Sequence, residues 1–283
     1  MSKIAILTDT SANLPAETMA AYNIHTVPHN IQWGEQSFLD NVDITATEFY
    51  ERLETDPLIP TTSQITMMTF LQAFEKLAET NDGILVPLIS GGVSGTVDSA
   101  RTAAAEFDKV PVEIVDTRST AGGLALAVLA AGEALTAGKS LAEAAAVVRT
   151  VSDNLHVYFV VDTLKYLHRG GRIGGASRYL GTMLSIKPIL MLNGTIDAVE
   201  RVRGKKKALQ RLVAIVAEKT QGEPVAVSVF HEKAAEKAVS VLEQAKAAMQ
   251  VEQDYTFELS PVLGTHAGPG TVGIACYPVS CIR

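Results

Sequence analysis

The 283-residue sequence is short of cysteine, of charge and of apolar runs long enough for a bilayer. Its two cysteines, Cys276 and Cys281, stand five apart near the C-terminal end, without the paired Cys and His clusters that four-coordinate zinc demands. They read as free thiols in a reducing compartment. The opening segment reaches Asp9 after too few apolar residues for the hydrophobic region of a signal peptide. The uncharged stretch from Ser119 to Gly132 has 14 residues, short of the ~20 that cross a bilayer as a helix. The expectation is a cytoplasmic protein, not an integral membrane one.

What is present is apolar and patterned. Hydrophobic residues make up 47% of the chain, too many for a disordered polymer and enough for two packed domains or one large unit. Ile4–Leu7 is an apolar run followed by turn and capping residues from Asp9 to Pro15, then by a helical stretch from Ala16 to Tyr22. The pattern recurs at Gly83–Ile89 with a helix through Glu106, and at Val112–Val115 with an apolar helix from Gly122. Strands alternating with helices predict a mainly parallel sheet, whose ligands sit beyond the carboxyl ends of the strands. Asp9, Ser90 to Thr96 and Asp116 fall at that edge. A helix from Leu141 to Val151 precedes the continuous apolar strand His156–Val161, which places a domain boundary between residues 153 and 154. Beyond it the pattern predicts strands near Ile189–Leu192, Ala198–Arg203, Val225–Phe230 and Gly273–Tyr277, with helices over Lys205–Thr220 and Ala234–Met249. The expected architecture is therefore two α/β domains, 1–153 and 154–283.

Charge is distributed unevenly. The net charge is −7, yet residues 165–207 carry ten bases against two acids, while residues 1–64 carry nine acids against two bases. The basic segment is a solvated face, or a surface that receives a phosphate or an acidic partner. Nucleic acid is disfavoured: only Tyr166 and Tyr179 interleave these bases, and with +8 here the rest of the chain carries −15.

Several short segments have the residue types of a binding site. Ser90-Gly-Gly-Val-Ser-Gly-Thr96 joins a strand to a helix, so its N–H groups and hydroxyls suit an anion at a helix start. No lysine follows, as a triphosphate loop would require, so a single charge such as a carboxylate fits better. The other reading is a helix cap by Ser94 or Thr96. Pro60-Thr-Thr-Ser-Gln64 reads as a loop between two helices, either a cap or a set of donors. His266 stands between flexible points in Thr265-His-Ala-Gly-Pro-Gly270, either structural or turned toward a cleft. Arg172 follows two glycines at a helix end, and Arg203 opens a basic run.

These segments occur in one order along almost the whole chain: Asp9-Thr-Ser11, Thr62-Ser-Gln64, Ser94-Gly-Thr96, Leu164 through Arg172, Lys187-Pro-Ile-Leu190, Val202-Arg-Gly204 and His266 through Gly270. The set resembles the DegV family of bacterial fatty-acid-binding proteins, which includes the acyl-carrying subunit of fatty acid kinase. The resemblance implies one long-chain fatty acid as ligand, no cofactor and no metal, with the carboxylate at the domain junction and the tail enclosed in the C-terminal domain. It implies that Thr62, Ser94 and His266 bind the carboxylate, and that Ser63, Gly95, Thr96 and Gly268 lie near the head group. It further implies that Arg172 and Arg203 form a basic rim facing a separate ATP-dependent kinase subunit, which makes an acyl phosphate for phospholipid synthesis. The carrier alone is then not an enzyme. Ile65, Gly91 and Ala267 depart from the family's usual Pro, Ser and Thr. The alternative from the residues themselves is a phosphotransferase or hydrolase using Asp9 or Asp116 with His266. The sequence has no nucleotide loop, no HExxH and no GxSxG to support it.

Overall fold

The runs Ile4–Leu7 and Ile84–Leu88 are apolar at every position and have no polar face to offer water, so they form strands covered on both sides. The computed structural model describes residues 3–181 and 185–283. In chain order the first elements are β1 (Ile4–Asp9), α1 (Ala16–Ala21), β2 (Ile24–Val27), β3 (Asn30–Trp33), β4 (Gln36–Leu39), α2 (Ala46–Thr55), β5 (Thr61–Ser63), α3 (Met67–Ala78), β6 (Gly83–Leu88), α4 (Thr96–Ala105) and β7 (Val112–Asp116). They continue with α5 (Ala121–Thr136), α6 (Leu141–Asn154), β8 (His156–Val160), α7 (Lys165–Arg169), β9 (Ile186–Asn193), β10 (Thr195–Arg203) and α8 (Lys205–Thr220). The last are β11 (Val225–His231), α9 (Ala235–Ala248), β12 (Val251–Glu258), α10 (Pro261–Ala267) and β13 (Val272–Pro278).

Three sheets result. A parallel four-stranded sheet has the order β2-β1-β6-β7, and a six-stranded sheet has the order β10-β9-β8-β13-β11-β12, antiparallel except for β11 with β12. A small antiparallel sheet, β4-β3-β5, stands beside them. The fold is α/β, with a parallel N-terminal sheet and a larger mixed C-terminal one.

The layering follows from alternation along the strands. In the parallel sheet, Ala5 and Leu7 face a core with Phe70 and Phe74 of α3, whereas Ile6 and Leu85 face α5. In the larger sheet, Val227 and Val229 face a core with α8 and α9, whereas Ala226 and Phe230 face α5. Helix α5 is thus shared by both sheets, and 13 of its 16 residues are buried. A helix without a polar face is stable only when enclosed, which is why the uncharged stretch ending at Gly132 becomes, from Ala121 onward, a buried helix. Its approach to β11 is close: a side chain at Gly122 would collide with Ser228 and Phe230.

The pattern read in the sequence lacks β2, β3, β4 and β12, and two segments of the site differ from it. Thr61–Ser63 is a strand, not a loop, because Thr62 pairs with Ile31 of β3. His266 sits in the last turn of α10, not between two mobile points. The N-terminal half fixes that helix: the Asp40 carboxylate accepts from Val262 N at 3.1 Å, and Asn13 Oδ1 accepts from Ser260 N at 2.6 Å. No helix among the described residues is long and apolar enough to cross a membrane. Cys276 and Cys281 are free thiols.

Candidate functional site

Where α10 and β5 meet the carboxyl edge of β6, side chains from both halves of the chain enclose about 860 Å³ of empty space, part of it open to solvent. Its polar end is formed by Thr62, Ser63, Ser94, Arg172 and His266; its walls include Val157, Phe159, Leu192, Ile196 and Phe230. The apolar walls come from α5 and the six-stranded sheet, the polar end from the small sheet, the β6–α4 turn and α10. The cavity therefore has the chemistry of an amphiphile, one small polar head and a long apolar body.

The polar end is built from pairs. Thr62 Oγ1 and His266 Nε2 lie 2.7 Å apart, joining residues 204 positions apart in the chain. His266 is pushed down to about 4 by burial, then by the positive charges of Arg172 and His29, so its ring is neutral at physiological pH. Its Nδ1 is buried without a partner among the described residues. An unpaired lone pair costs less than an unpaired N–H, which assigns the proton to Nε2. His266 then donates to Thr62 Oγ1 and leaves the Thr62 hydroxyl hydrogen free for an oxygen in the cavity. Ser94 Oγ lies 2.9 Å from Thr96 Oγ1 and accepts from Thr96 N at 3.3 Å. Thr96 Oγ1 in turn accepts from Ile65 N at 3.4 Å, so Ser94 has a supported orientation at the cavity wall.

The other residues singled out in the sequence are more dispersed. Gly95, not Ser94 or Thr96, is the N-cap of α4, and it lies against the Gln64 side chain. Gly268 is buried at the C-cap of α10 with φ of 73°, where a side chain would meet the Tyr166 ring. Gly95, Thr96 and Gly268 thus stand behind the wall. Ser90, part of the proposed anion cradle, is occupied: its hydroxyl donates to Gly194 O at 2.6 Å and ties the β6–α4 turn to the β9–β10 hairpin. Arg172 reaches the cavity, donating through Nε to Val93 O at 3.0 Å and through Nη1 to Gly170 O at 2.6 Å. Arg203 is an exposed residue at the end of β10 and does not line the cavity. The basic segment is therefore divided, with Arg201 and Arg178 placed over the Tyr179 ring instead.

Neither acid of the alternative reading has a free carboxylate. Asp116 accepts from Gly91 N and Arg118 N. Asp9 is fully buried and accepts from Ser11 N, Ser11 Oγ and Ile89 N, with His29 Nε2 at 3.2 Å. Burial would raise the Asp9 pKa, but the His29 bond and charge, with Ser11 and Ile89, hold it below the usual range. Burial would likewise lower His29, and the Asp9 bond and charge raise it instead. His29, Gln64 and Thr120 line the cavity without having been singled out as ligands. Gln64 lies within the Pro60–Gln64 segment and Thr120 within the uncharged stretch from Ser119; His29 has no local signal. Among the described residues, no group of three or more His, Cys, Asp or Glu side chains is placed to hold a metal ion.

A family model described as "Uncharacterised protein, DegV family" matches residues 3–279. A DegV domain-containing protein of Deinococcus radiodurans is 37% identical over 279 residues, covering 98% of this chain and 99% of the relative. A DegV family protein from Thermus thermophilus, whose structure is described as showing fatty acid binding, superposes with a TM-score of 0.91 at 34% identity, covering 98% of this chain and 100% of that one. DegV of Bacillus subtilis, described as a fatty acid binding protein, superposes with a TM-score of 0.89 at 29% identity, covering 98% and 99%. Sequence motifs, fold and end-to-end similarity meet in one assignment: the chain belongs to the DegV family.

Proposed function

We propose that this protein binds one long-chain fatty acid, with the carboxylate against Thr62, Ser94 and His266 and the tail along the apolar walls. The observation that carries this reading is the cavity itself, a mainly apolar space whose polar lining includes the Thr62 and Ser94 hydroxyls, a neutral histidine and an arginine. A C16 tail withdrawn from water contributes on the order of 10 kcal/mol at ~0.8 kcal/mol per methylene. A carboxylate buried without donors costs several kcal/mol, so neutral hydroxyls aimed at it decide whether the head enters. The Thermus and Bacillus relatives described as fatty-acid-binding support the same ligand class.

In this reading the chain divides at 153/154, the C-terminal half encloses the tail, and the carrier resides in the cytoplasm without activity of its own. It presents the carboxylate to a separate ATP-dependent kinase subunit for acyl-phosphate formation in phospholipid synthesis. Ser63 lies beside the head group at the cavity wall and Gly95, Thr96 and Gly268 support it from behind, while Arg172 at the cavity and Arg203 outside it face the kinase. Asp9 and Asp116, satisfied by backbone N–H groups, make the phosphotransferase or hydrolase reading the weaker one. The test is titration of delipidated protein with hexadecanoate, alongside an assay of ADP release with the acid and ATP. The reading expects saturable one-to-one binding and no ADP release by the carrier alone. Absence of binding would overturn it, and turnover without a partner would remove the carrier role.

A further inference from the structure

The head-group end has a charge problem that its hydroxyls do not solve. Asp9 lies one side chain behind the cavity wall, because its partners are wall residues or touch them. Ile89 and His29 line the cavity and bond Asp9 directly, and Thr120, also on the wall, donates to Ser11 Oγ at 2.8 Å, which donates to Asp9 Oδ1 at 2.5 Å. A buried anion at that depth repels a second carboxylate arriving in the same low-dielectric space.

We propose that His29 is a specificity-determining residue, whose imidazolium neutralises Asp9 and so makes the cavity accept an anionic head group. The inference rests on the fatty-acid reading and deepens it. The geometry suits the role: His29 is 2% exposed, its Nε2 is 3.2 Å from Asp9 Oδ1, and its backbone N–H donates to Thr10 Oγ1 at 3.3 Å. The charged and titratable groups facing it are Asp9 from β1, Asp40 beyond β4 and His266 of α10, with the Ser63 backbone of β5 on its other side. His266 is neutral and Arg172 is bound to two carbonyls of its own surroundings. His29 is therefore the cation placed against the buried acid. Without it, the uncompensated Asp9 charge would oppose an arriving carboxylate and shift the preference toward an uncharged head such as an alcohol.

The experiment compares hexadecanoate with hexadecanol on wild type, His29→Gln, and the double variant Asp9→Asn/His29→Gln. The single variant is expected to bind hexadecanoate roughly ten- to a hundredfold more weakly, while hexadecanol affinity is retained and so reports an intact cavity. The double variant, with both charges removed, is expected to regain most of the hexadecanoate affinity. Wild-type affinity for hexadecanoate is expected to fall at high pH, where His29 loses its proton and Asp9 keeps its charge. Equal losses for both ligands, or no loss for either, would overturn the inference, as would a double variant weaker for the acid than the single one. Failure of wild type to bind hexadecanoate would overturn the fatty-acid reading itself, and this inference with it.

Discussion

Two regions of the molecule carry the polar groups that stand out in the sequence, and they use them oppositely. At the carboxyl edge of the parallel sheet, Asp9 and Asp116 are taken up by backbone N–H groups and by neighbouring side chains. At the seam between β5, the β6–α4 turn and α10, Thr62 pairs with His266 and Ser94 with Thr96, and Thr62, Ser94 and His266 all line the cavity. Acids at strand ends look catalytic in a sequence because open α/β sheets bind ligands there. Here they hold the edge together, and the proposed head-group site lies instead where short hydroxyls meet a buried neutral imidazole.

The largest effect that would break this contrast is on stability. Asp9→Ala leaves His29 buried without its partner and the Ile89 and Ser11 N–H groups without an acceptor, so the loss is expected to be about 3–5 kcal/mol. Urea denaturation measures it, and a loss below ~1 kcal/mol would mean that Asp9 is not structural. Thr62→Val and Ser94→Ala are expected to leave melting nearly unchanged. Each is expected to weaken fatty acid binding by roughly 1.5–3 kcal/mol, the value of a hydrogen bond to a charged group. A lowered melting temperature with unaltered affinity would reassign both hydroxyls to local structure.

A pH series sharpens the comparison further. His266 is held near 4 in the folded protein against 6.5 ordinarily, so between those values the unfolded chain binds a proton that the folded one refuses. Its contribution to stability is therefore complete above about pH 6.5 and is lost as pH falls toward 4, by roughly 1–3 kcal/mol. Comparing thermal melts of wild type and His266→Asn between pH 4 and 7 isolates this dependence; identical slopes would show that the ring is not a buried neutral group. Glu232 provides the opposite sign. It is buried with neither oxygen partnered among the described residues, and burial, then Asp162 and Glu258, raise it to about 9. The folded protein thus keeps a proton that the unfolded chain loses above about 4.5, and stability falls with rising pH across that window. Glu232→Gln is expected to remove this decline.

The smallest expected change in binding is at the rim. Arg203→Ala, on the outer strand and away from the cavity, is expected to leave fatty acid affinity unaltered while reducing acyl-phosphate formation with a matched kinase subunit. Arg172→Ala is expected to affect both, because the guanidinium bonds Val93 O and Gly170 O at the cavity wall. Full turnover by the Arg203 variant would place the kinase-facing surface elsewhere.

Much of the framework was legible because long elements are redundant in their signals. Lys205–Thr220 follows a glycine with positive φ and carries apolar residues at helical spacing, and the structure places α8 there. The parallel sheet was legible from the strand-then-helix alternation. Short polar elements were not. Thr61–Ser63 has no apolar periodicity and is a strand only because β3 pairs with it. β12 carries a weak strand signal because Gln253 interrupts the apolar alternation of Val251, Tyr255 and Phe257 among charged neighbours. α10 carried a usable signal, Ser260 before Pro261, which marks a helix start. Thr62, Ser94 and His266 were legible as motifs, but their mutual contact was not, since residues 62 and 266 meet only through tertiary packing. His29 carries no local signal for the same reason: it lies between β2 and β3, and its partner Asp9 is at the end of β1, 20 residues away.

The central claim, that this cavity is a container for one acyl chain, is tested most directly by native mass spectrometry of the purified protein before and after denaturing extraction. One added mass in the range of a C14 to C18 fatty acid per chain, released on denaturation and restored by incubation with such an acid, is the predicted result. A chain that is empty as purified and stays empty after that incubation would contradict it.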